Sequence, residues 1–599
     1  MSRLSVLARL LILSAIIFLA AVMMLKTTSS DSAITGEAET VTAGYSHIRF
    51  LDYRLDPEQP PLGKILAAAP LLLGKVSFPI NSLNWQRDIN GKEEISNQFF
   101  YTQGNDPDLI LRYSRLASIA AILLLAILLY ILAKDLIGKW WALLPSFLFA
   151  FSPLALAYGH YATINAWVTI TIFAAVVSFL KFLESPSRKK MLLSGLLFGL
   201  AQITGFSALI LIPYFVLILF IFYFWSVHRD WQTTESEQRI NRFAKRAARY
   251  CNGLLAIFFT GLLIIVSSYA LLTLGYPIEK QKTDTKFITN DFPITWIKDG
   301  LNYLSGVPAL RGFSQYALGA AVHYRTEAPI NWNPNFAVLK TFFLKEPIAS
   351  LLLITIAAGL AIWNILRATW SMLRRRSHNF FDYLSTSFFE FSVMIFVGLS
   401  WAAALSLNSS EGYEQILPTL PFLYLLTAGG VRKWFGEKTL DPAKNFVIKI
   451  FLVYEEFLQL SLQTTLLGAL IVGYAATTLI AYPHFLPFGN LFAGGTKNAY
   501  AHLDESDYNR GQDLKRLADW ARLNLPDQEK IAVDYSDETS LKHYLGDAAH
   551  PWASSLGSPL EEGINWLAIP VTNKNYVWLN GIEPYDRVGK TITVYRLSN

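Results

Sequence analysis

The chain has 599 residues, 53% of them hydrophobic, 14% aromatic and only 16% charged, with a mean hydropathy of +0.33. That is too apolar for a soluble globular protein of this size and marks a polytopic membrane protein. The formal charge of +6 does not point to nucleic acid, because the basic residues sit in short loops between apolar runs, where they report topology.

Crossing ~30 Å of hydrocarbon as a helix takes roughly 20 apolar residues. Eleven runs are candidate spans: 10–25, 116–133, 140–158, 166–180, 191–204, 206–225, 254–274, 347–366, 391–407, 416–428 and 466–482. Arg3 and Arg9, Lys134 and Lys139, Arg188 to Lys190, Arg242 to Arg249, Arg374 to Arg376, and Arg432 with Lys433 fall on alternate loops. Lys and Arg accumulate on the cytoplasmic side, so the N-terminus is expected inside. Residues 26–115, 160–165, 276–346, 408–415 and everything after 483 are then expected outside. The first run has a basic flank but no small-x-small cleavage site directly after it, and it reads as a retained helix. Cys251 is the only cysteine, which excludes an intramolecular disulfide.

The segment 455–464, EEFLQLSLQT, has the pattern of an interfacial amphipathic helix before the last span. After 483 the chain becomes charged and soluble in character, with a helical stretch at 512–523, a strand-like KIAVDY at 530–535 and a terminal strand at 591–596. The expected organisation is a membrane domain over 1–485 and an exported α/β domain over 486–599. No internal repeat is visible, and the spans are almost free of ionisable residues, which argues against a transporter.

Chemistry concentrates in the first outer loop, which carries Glu37, Glu39, Asp52, Arg54, Asp56, Glu58 and Lys64. Pro60-Pro61 forbids helix before it and starts one after it. Charges beside an amphipathic ledge suit a substrate with a polar head and a lipid tail.

The stretch 44–73, GYSHIRFLDYRLDPEQPPLGKILAAAPLLL, resembles the first-loop motif of bacterial protein O-mannosyltransferase-like glycosyltransferases, family 39 and its relatives in the GT-C superfamily. Further blocks resemble that family in order: FSPLALAYGHYATINA at 151–166, ITGFSALILIP at 203–213, FFLKEPIASLLL at 342–353 and GYEQILPTLPFLYLL at 412–426. In the tail, AYPHFLPFGNLFAGG, GQDLKRL and VGKTITVYRL do so as well. The resemblance implies a GT-C-type α-helical membrane fold of about 11 transmembrane helices in a plasma membrane. It implies inverting transfer of a sugar from a polyprenyl-phosphate-linked donor to an acceptor hydroxyl on the outer face. The implied partners are the lipid-linked donor, an acceptor and membrane lipids, with no cofactor and no nucleic acid.

The chain departs from the family pattern at charged positions. Gly36-Glu37 stands where Asp-Glu is usual, Thr40 and Gln59 replace histidines, Asn165 replaces an acid, Gly205 a lysine and Glu414-Gln415 a basic pair. These departures support an alternative, a catalytically impaired relative that binds lipid-linked glycan or a partner protein.

By register Glu37 is the expected base, against the plainer reading of a solvated loop carboxylate; Glu39 is its substitute. The two share a face in a strand but not in a helix. Arg115 is the expected phosphate ligand, with Lys64 and Lys345 as further cations, and each has the alternative of snorkelling to headgroups. Glu58, Gln59, His160, Asn165, Tyr413 and Gln415 are expected substrate contacts. Asp56-Pro57 reads as a turn, and Asp504, Gln512 and Asp513 as packing or docking residues. No second histidine lies at ligand spacing from His160, so no metal is expected.

Overall fold

Only helices satisfy their own backbone within an apolar run that crosses a bilayer. Long helices accordingly fill most of the first 481 residues in the computed structural model, which describes residues 3–231, 236–327, 336–373, 379–406, 412–436, 446–526, 528–573 and 575–597. Seven of the described helices are long and apolar enough to cross a membrane, and nine if each of two bent pairs counts as one span. The bent pairs are Leu143–Ala150 with Pro153–His160, and Ala337–Lys345 with Ile348–Trp363. The expected runs at 191–204 and 416–428 fall on the helices Arg188–Gln202 and Leu420–Trp434, which have only 15 residues each. Residues 455–464 form no separate interfacial element; they lie inside the continuous helix Phe446–Ala481. Arg374 to Arg376 lie outside the described residues.

Loops that the charge pattern assigns to one side meet in space. At one end Arg432 donates to the Leu136 carbonyl at 3.3 Å. At the other, Asn165 donates to Glu414 at 3.2 Å and the Thr35 amide to the Arg510 carbonyl at 2.9 Å.

The first loop is a folded unit. Its helix Glu37–Phe50 crosses the helix Pro61–Ala68, which starts with Pro61 in the first turn as its fixed φ favours. The crossing is so close that a Cβ on Gly44 would stand 2.0 Å from the Lys64 carbonyl oxygen, which only glycine permits.

The tail carries a five-stranded sheet ordered β2-β1-β3-β5-β4. Its strands are β1 (Ile531–Val533), β2 (Ala549–Pro551), β3 (Trp566–Pro570), β4 (Asp586–Val588) and β5 (Ile592–Arg596). β1 is parallel to β2 and β3, whereas β5 is antiparallel to β3 and β4. Alternation along the strands sends Ile531, Val533, Trp566 and Ala568 to one face, packed against the helix Leu514–Asn524. Ala532, Leu567 and Ile569 face a second apolar cluster with Trp552 and Tyr576. The expected helix and both expected strands of the tail fall on Leu514–Asn524, β1 and β5.

Candidate functional site

Gly36 adopts φ +84°, a left-handed turn that side chains resist, and the helix begins at the next residue. Glu37 and Glu39 therefore stand two residues apart at a helix N-terminus, where carboxylates are favoured and the backbone turns about 200° between them. They point to different places.

Glu37 is fully buried. Its Oε1 accepts from Arg115 Nε at 2.8 Å and from the Ala162 amide at 2.7 Å, while its Oε2 accepts from Arg115 Nη2 at 2.8 Å and from the Ile34 amide at 3.1 Å. Arg115 spends its remaining donors on the carbonyls of Thr28, Asp31 and Ser32 at 2.8–3.0 Å. All five of its N–H groups are thus engaged, the full complement of a guanidinium. Each saturates the other, and neither is among the residues that line the cavity beside them.

Glu39 does line one. It is half-buried on the wall of a cavity of about 350 Å³, with Gln59 and Asn165 from the expected set and with Asp56, Lys92, Glu414 and Arg510. Among the described residues it makes no ion pair, and burial raises its carboxyl above the ordinary glutamate range although Lys92 pulls the other way. Lys92 donates to Asp56 at 2.9 Å and to Glu58 at 3.3 Å. Burial disfavours the charged form of Asp56, but the ammonium groups of Lys64 and Lys92 outweigh it and hold the carboxyl low. Burial and the Asp56 charge push Glu58 up.

Behind this wall Lys64 is fully buried, donating to the Asp56 carbonyl at 2.6 Å and carboxylate at 3.2 Å. It anchors the loop and is not among the residues lining this cavity. Asp56 itself sits at φ 52°, the turn anticipated for Asp56-Pro57.

The opposite wall comes from the tail. The segment around Gly511 hooks onto the first loop: Ser32 donates through its hydroxyl to the Gly511 carbonyl at 2.7 Å and through its amide to that of Gln512 at 3.2 Å. This brings Arg510 into the cavity, where it pairs with Glu414 at 3.0 Å, and Glu414 also accepts from Asn165. Burial raises the Glu414 carboxyl, with Arg510 opposing. Gln512 and Asp513 hold this hook in shape: Gln512 Oε1 accepts from the Arg510 amide at 2.8 Å, and Asp513 accepts from the amides of Lys590 and Thr591. Sequence reasoning missed Arg510 and Lys92; the one available signal for Arg510 was its position beside the GQDLKRL block.

His160 is buried, with Nδ1 2.7 Å from the Leu156 carbonyl and Nε2 3.1 Å from Asp31. Asp31 also accepts from Tyr161 at 2.6 Å and from Arg516. His160 is therefore a strut between the spans and the tail, away from the cavity. Lys345 is likewise enclosed, donating to the carbonyls of Leu486 at 2.8 Å and Asp507 at 2.6 Å, with the Tyr413 ring 5.7 Å away. The Tyr413 amide donates to Asp507, while its hydroxyl finds no partner among the described residues.

Gln415 belongs to a second cavity of about 220 Å³ and leaves both amide atoms without partners among the described residues. This cavity is mostly apolar, walled by Ile172, Ile210, Phe396 and Ala404 between three spans, and it shares Ser207 and His323 with the first. Burial lowers His323 to about 4, so its imidazole is neutral at physiological pH. Among the described residues no group of three or more His, Cys, Asp or Glu could hold a metal ion.

Residues 112–234 match the family model described as dolichyl-phosphate-mannose-protein mannosyltransferase. No curated protein matches. Among solved structures, ArnT from Cupriavidus metallidurans in the apo state aligns with a TM-score of 0.40 at 14% identity over 97% of each chain. The archaeal oligosaccharyltransferase AglB from Archaeoglobus fulgidus, in complex with an inhibitory peptide and a dolichol-phosphate, aligns at 0.40 and 12% over 95% of this chain and 70% of that one. The S. cerevisiae protein O-mannosyltransferase Pmt1-Pmt2 complex bound to the sugar donor aligns at 0.32 and 19% over 44% and 34%. Two of the resembling blocks, 151–166 and 203–213, fall inside the matched stretch, and over residues 112–234 this chain is similar to the dolichyl-phosphate-mannose-protein mannosyltransferases.

Proposed function

We propose that this protein transfers a sugar from a polyprenyl-phosphate-linked donor to an acceptor hydroxyl, with inversion, on the outer face of the plasma membrane. The observation that carries the reading is the pair of adjoining cavities: a carboxylate- and cation-lined one at the loop level, and an apolar one between spans, meeting at Ser207 and His323. A donor with a phosphosugar head and an isoprenoid tail has that same division, and the tail need not leave the hydrocarbon.

Within the first cavity Glu39 takes the role of base. Its carboxylate accepts the acceptor's hydroxyl proton as that oxygen bonds to the anomeric carbon from the face opposite the phosphate. The anomeric C–O bond breaks with its electron pair leaving on the lipid phosphate, whose charge Arg510 and Lys92 stabilise. Gln59 and Asn165 supply amide donors and acceptors for sugar hydroxyls. The register-based assignment of Glu37 gives way to Glu39 because a base needs a free lone pair facing the acceptor, and that of Glu37 is occupied four times over.

The test is release of sugar from a lipid-linked donor by purified protein, measured beside donor binding. Glu39→Gln is expected to lose roughly 100- to 10,000-fold in turnover while donor binding survives. Full activity in that variant overturns the mechanism. A wild-type protein that binds donor yet never turns it over, with acceptors of several classes, moves the reading to the glycan-binding relative, which the glycine at position 36 favours.

A further inference from the structure

A larger cavity lies at the far end of the bundle. Asn165 lines the carboxylate cavity, and Lys181 and Glu184, at the other end of the same helix Asn165–Glu184, line this one. At 1.5 Å per residue the two are ~25–30 Å apart, the thickness of the hydrocarbon layer, so they open toward opposite leaflets. The cavity measures about 960 Å³.

Its inner wall is apolar, made by Leu132, Leu180, Phe222 and Phe388 from four helices. Its rim carries six cationic side chains against two carboxylates, Asp135 and Glu184. Four of the cations, Arg242, Lys245, Arg246 and Arg249, stand at intervals of three and four residues on the helix Ser236–Leu272, which puts them on one face. Like charges at that spacing repel along a helix. The preference for positive charge on one side of a membrane counts charges and does not direct them to a common face, so topology alone leaves the stripe unexplained.

Arg246 is held by the Ser226 carbonyl at 2.9 Å and by Asp230, and Arg229 pairs with Asp230 at 3.0 Å while stacking on Trp225. Arg242, Lys245 and Arg249 are exposed at the rim. A soluble anion would use that rim and leave the apolar wall wet. An amphiphile with an anionic head covers both, and basic pockets between spans take such headgroups.

We infer that this cavity binds an anionic phospholipid of its own leaflet, the headgroup phosphate against Arg242, Lys245 and Arg249 and the acyl chains along Leu180, Phe222 and Phe388. The site is independent of the sugar-transfer reading.

The experiment uses the full chain in nanodiscs, with phosphatidylglycerol, phosphatidylcholine and inorganic phosphate as probes and native mass spectrometry of retained lipid as readout. Phosphatidylglycerol is expected to be retained over phosphatidylcholine and not displaced by inorganic phosphate. Combined Arg242→Gln, Lys245→Gln and Arg249→Gln should weaken retention by roughly fivefold per cation removed, whereas Lys189→Gln, an exposed cation outside the cavity, should not. Should the triple variant fail to fold, the wild-type chain answers by itself, since retention must fall as salt rises. Equal retention of phosphatidylcholine, displacement by inorganic phosphate, indifference to salt, or an effect of Lys189→Gln as large as that of a rim residue would each overturn the inference.

Discussion

Two carboxylates separated by one residue, Glu37 and Glu39, live in opposite electrostatic worlds. Glu37 is enclosed in a saturated cluster of one guanidinium and two backbone amides, whereas Glu39 stands on a cavity wall with no ion pair among the described residues. A saturated buried pair gives rigidity and cannot exchange a proton without being dismantled. A carboxylate held above its ordinary range by burial is instead a competent base at neutral pH. Proximity in sequence to a catalytic motif is therefore a weaker guide than the lone pairs left over after folding.

The comparison breaks most visibly at Arg115. Arg115→Met strands the Glu37 carboxylate in a dry site, and breaking a buried pair from one side costs about 3–5 kcal/mol. The expected outcome is a large fall in melting temperature and poor recovery from the membrane, read by fluorescence-detected size exclusion on heating. Glu37→Gln should fall in the same direction. A folded, heat-stable Arg115→Met protein with lost donor binding would instead return Arg115 to the phosphate.

Arg510 sharpens the other half. Its backbone carbonyl, which receives the Thr35 amide, survives Arg510→Gln, so the tail should stay docked. Loss of a charge-assisted contact to the lipid phosphate should cost about 1.5–3 kcal/mol, roughly 10- to 100-fold in the donor affinity of the folded protein, beside a fall in melting temperature because the buried Glu414 loses its partner. Unchanged donor affinity would make Arg510 a docking residue only.

A smaller effect tests the acidic side of the cavity. Asn165 donates to Glu414 at 3.2 Å, and Glu414 pairs with Arg510. Glu414→Gln should lower turnover by removing the carboxylate that pairs with Arg510 across the cavity. Adding Asn165→Asp should restore part of the loss, with a coupling of about 0.5–3 kcal/mol in a double-mutant cycle. Strict additivity would show that the two positions do not share one charge.

Much of the architecture was readable from local sequence. The proline pair set the start of Pro61–Ala68, and alternation and polarity marked the tail's helix and its first and last strands. Hydropathy located the apolar runs but not their shape, since a run cannot reveal that it bends by 115° before Ile348 or stops at 15 residues. The site was readable only in part. Register placed Glu37, Arg115 and Lys64 in the right region, but their partners are the chain's own carbonyls, amides and carboxylates, which no spacing encodes. Arg510 reaches the cavity from more than 400 residues beyond the first-loop wall, and its place beside the GQDLKRL block does not announce that neighbour.

The smallest expected effect concerns the stability of Glu39→Gln, and its sign separates the two carboxylates again. Burial is the main cause holding the Glu39 carboxyl up, with Asp56 and Glu93 adding to it and Lys92 opposing. A carboxyl with a raised pKa binds its proton more tightly folded than unfolded. Its stabilising contribution is then fully present below the unfolded value of about 4.3 and is lost as pH rises through the folded pKa. The amide carries no such dependence. Wild type and Glu39→Gln should therefore differ least at acid pH, and toward neutral pH the variant should melt at or above the wild type, the opposite of Glu37→Gln. Turnover needs the ionised form, so it should climb over the same interval in which the wild-type carboxylate becomes costly to keep. If Glu39→Gln melts well below wild type at pH 7, that carboxylate is holding the fold together, and the proton must go elsewhere.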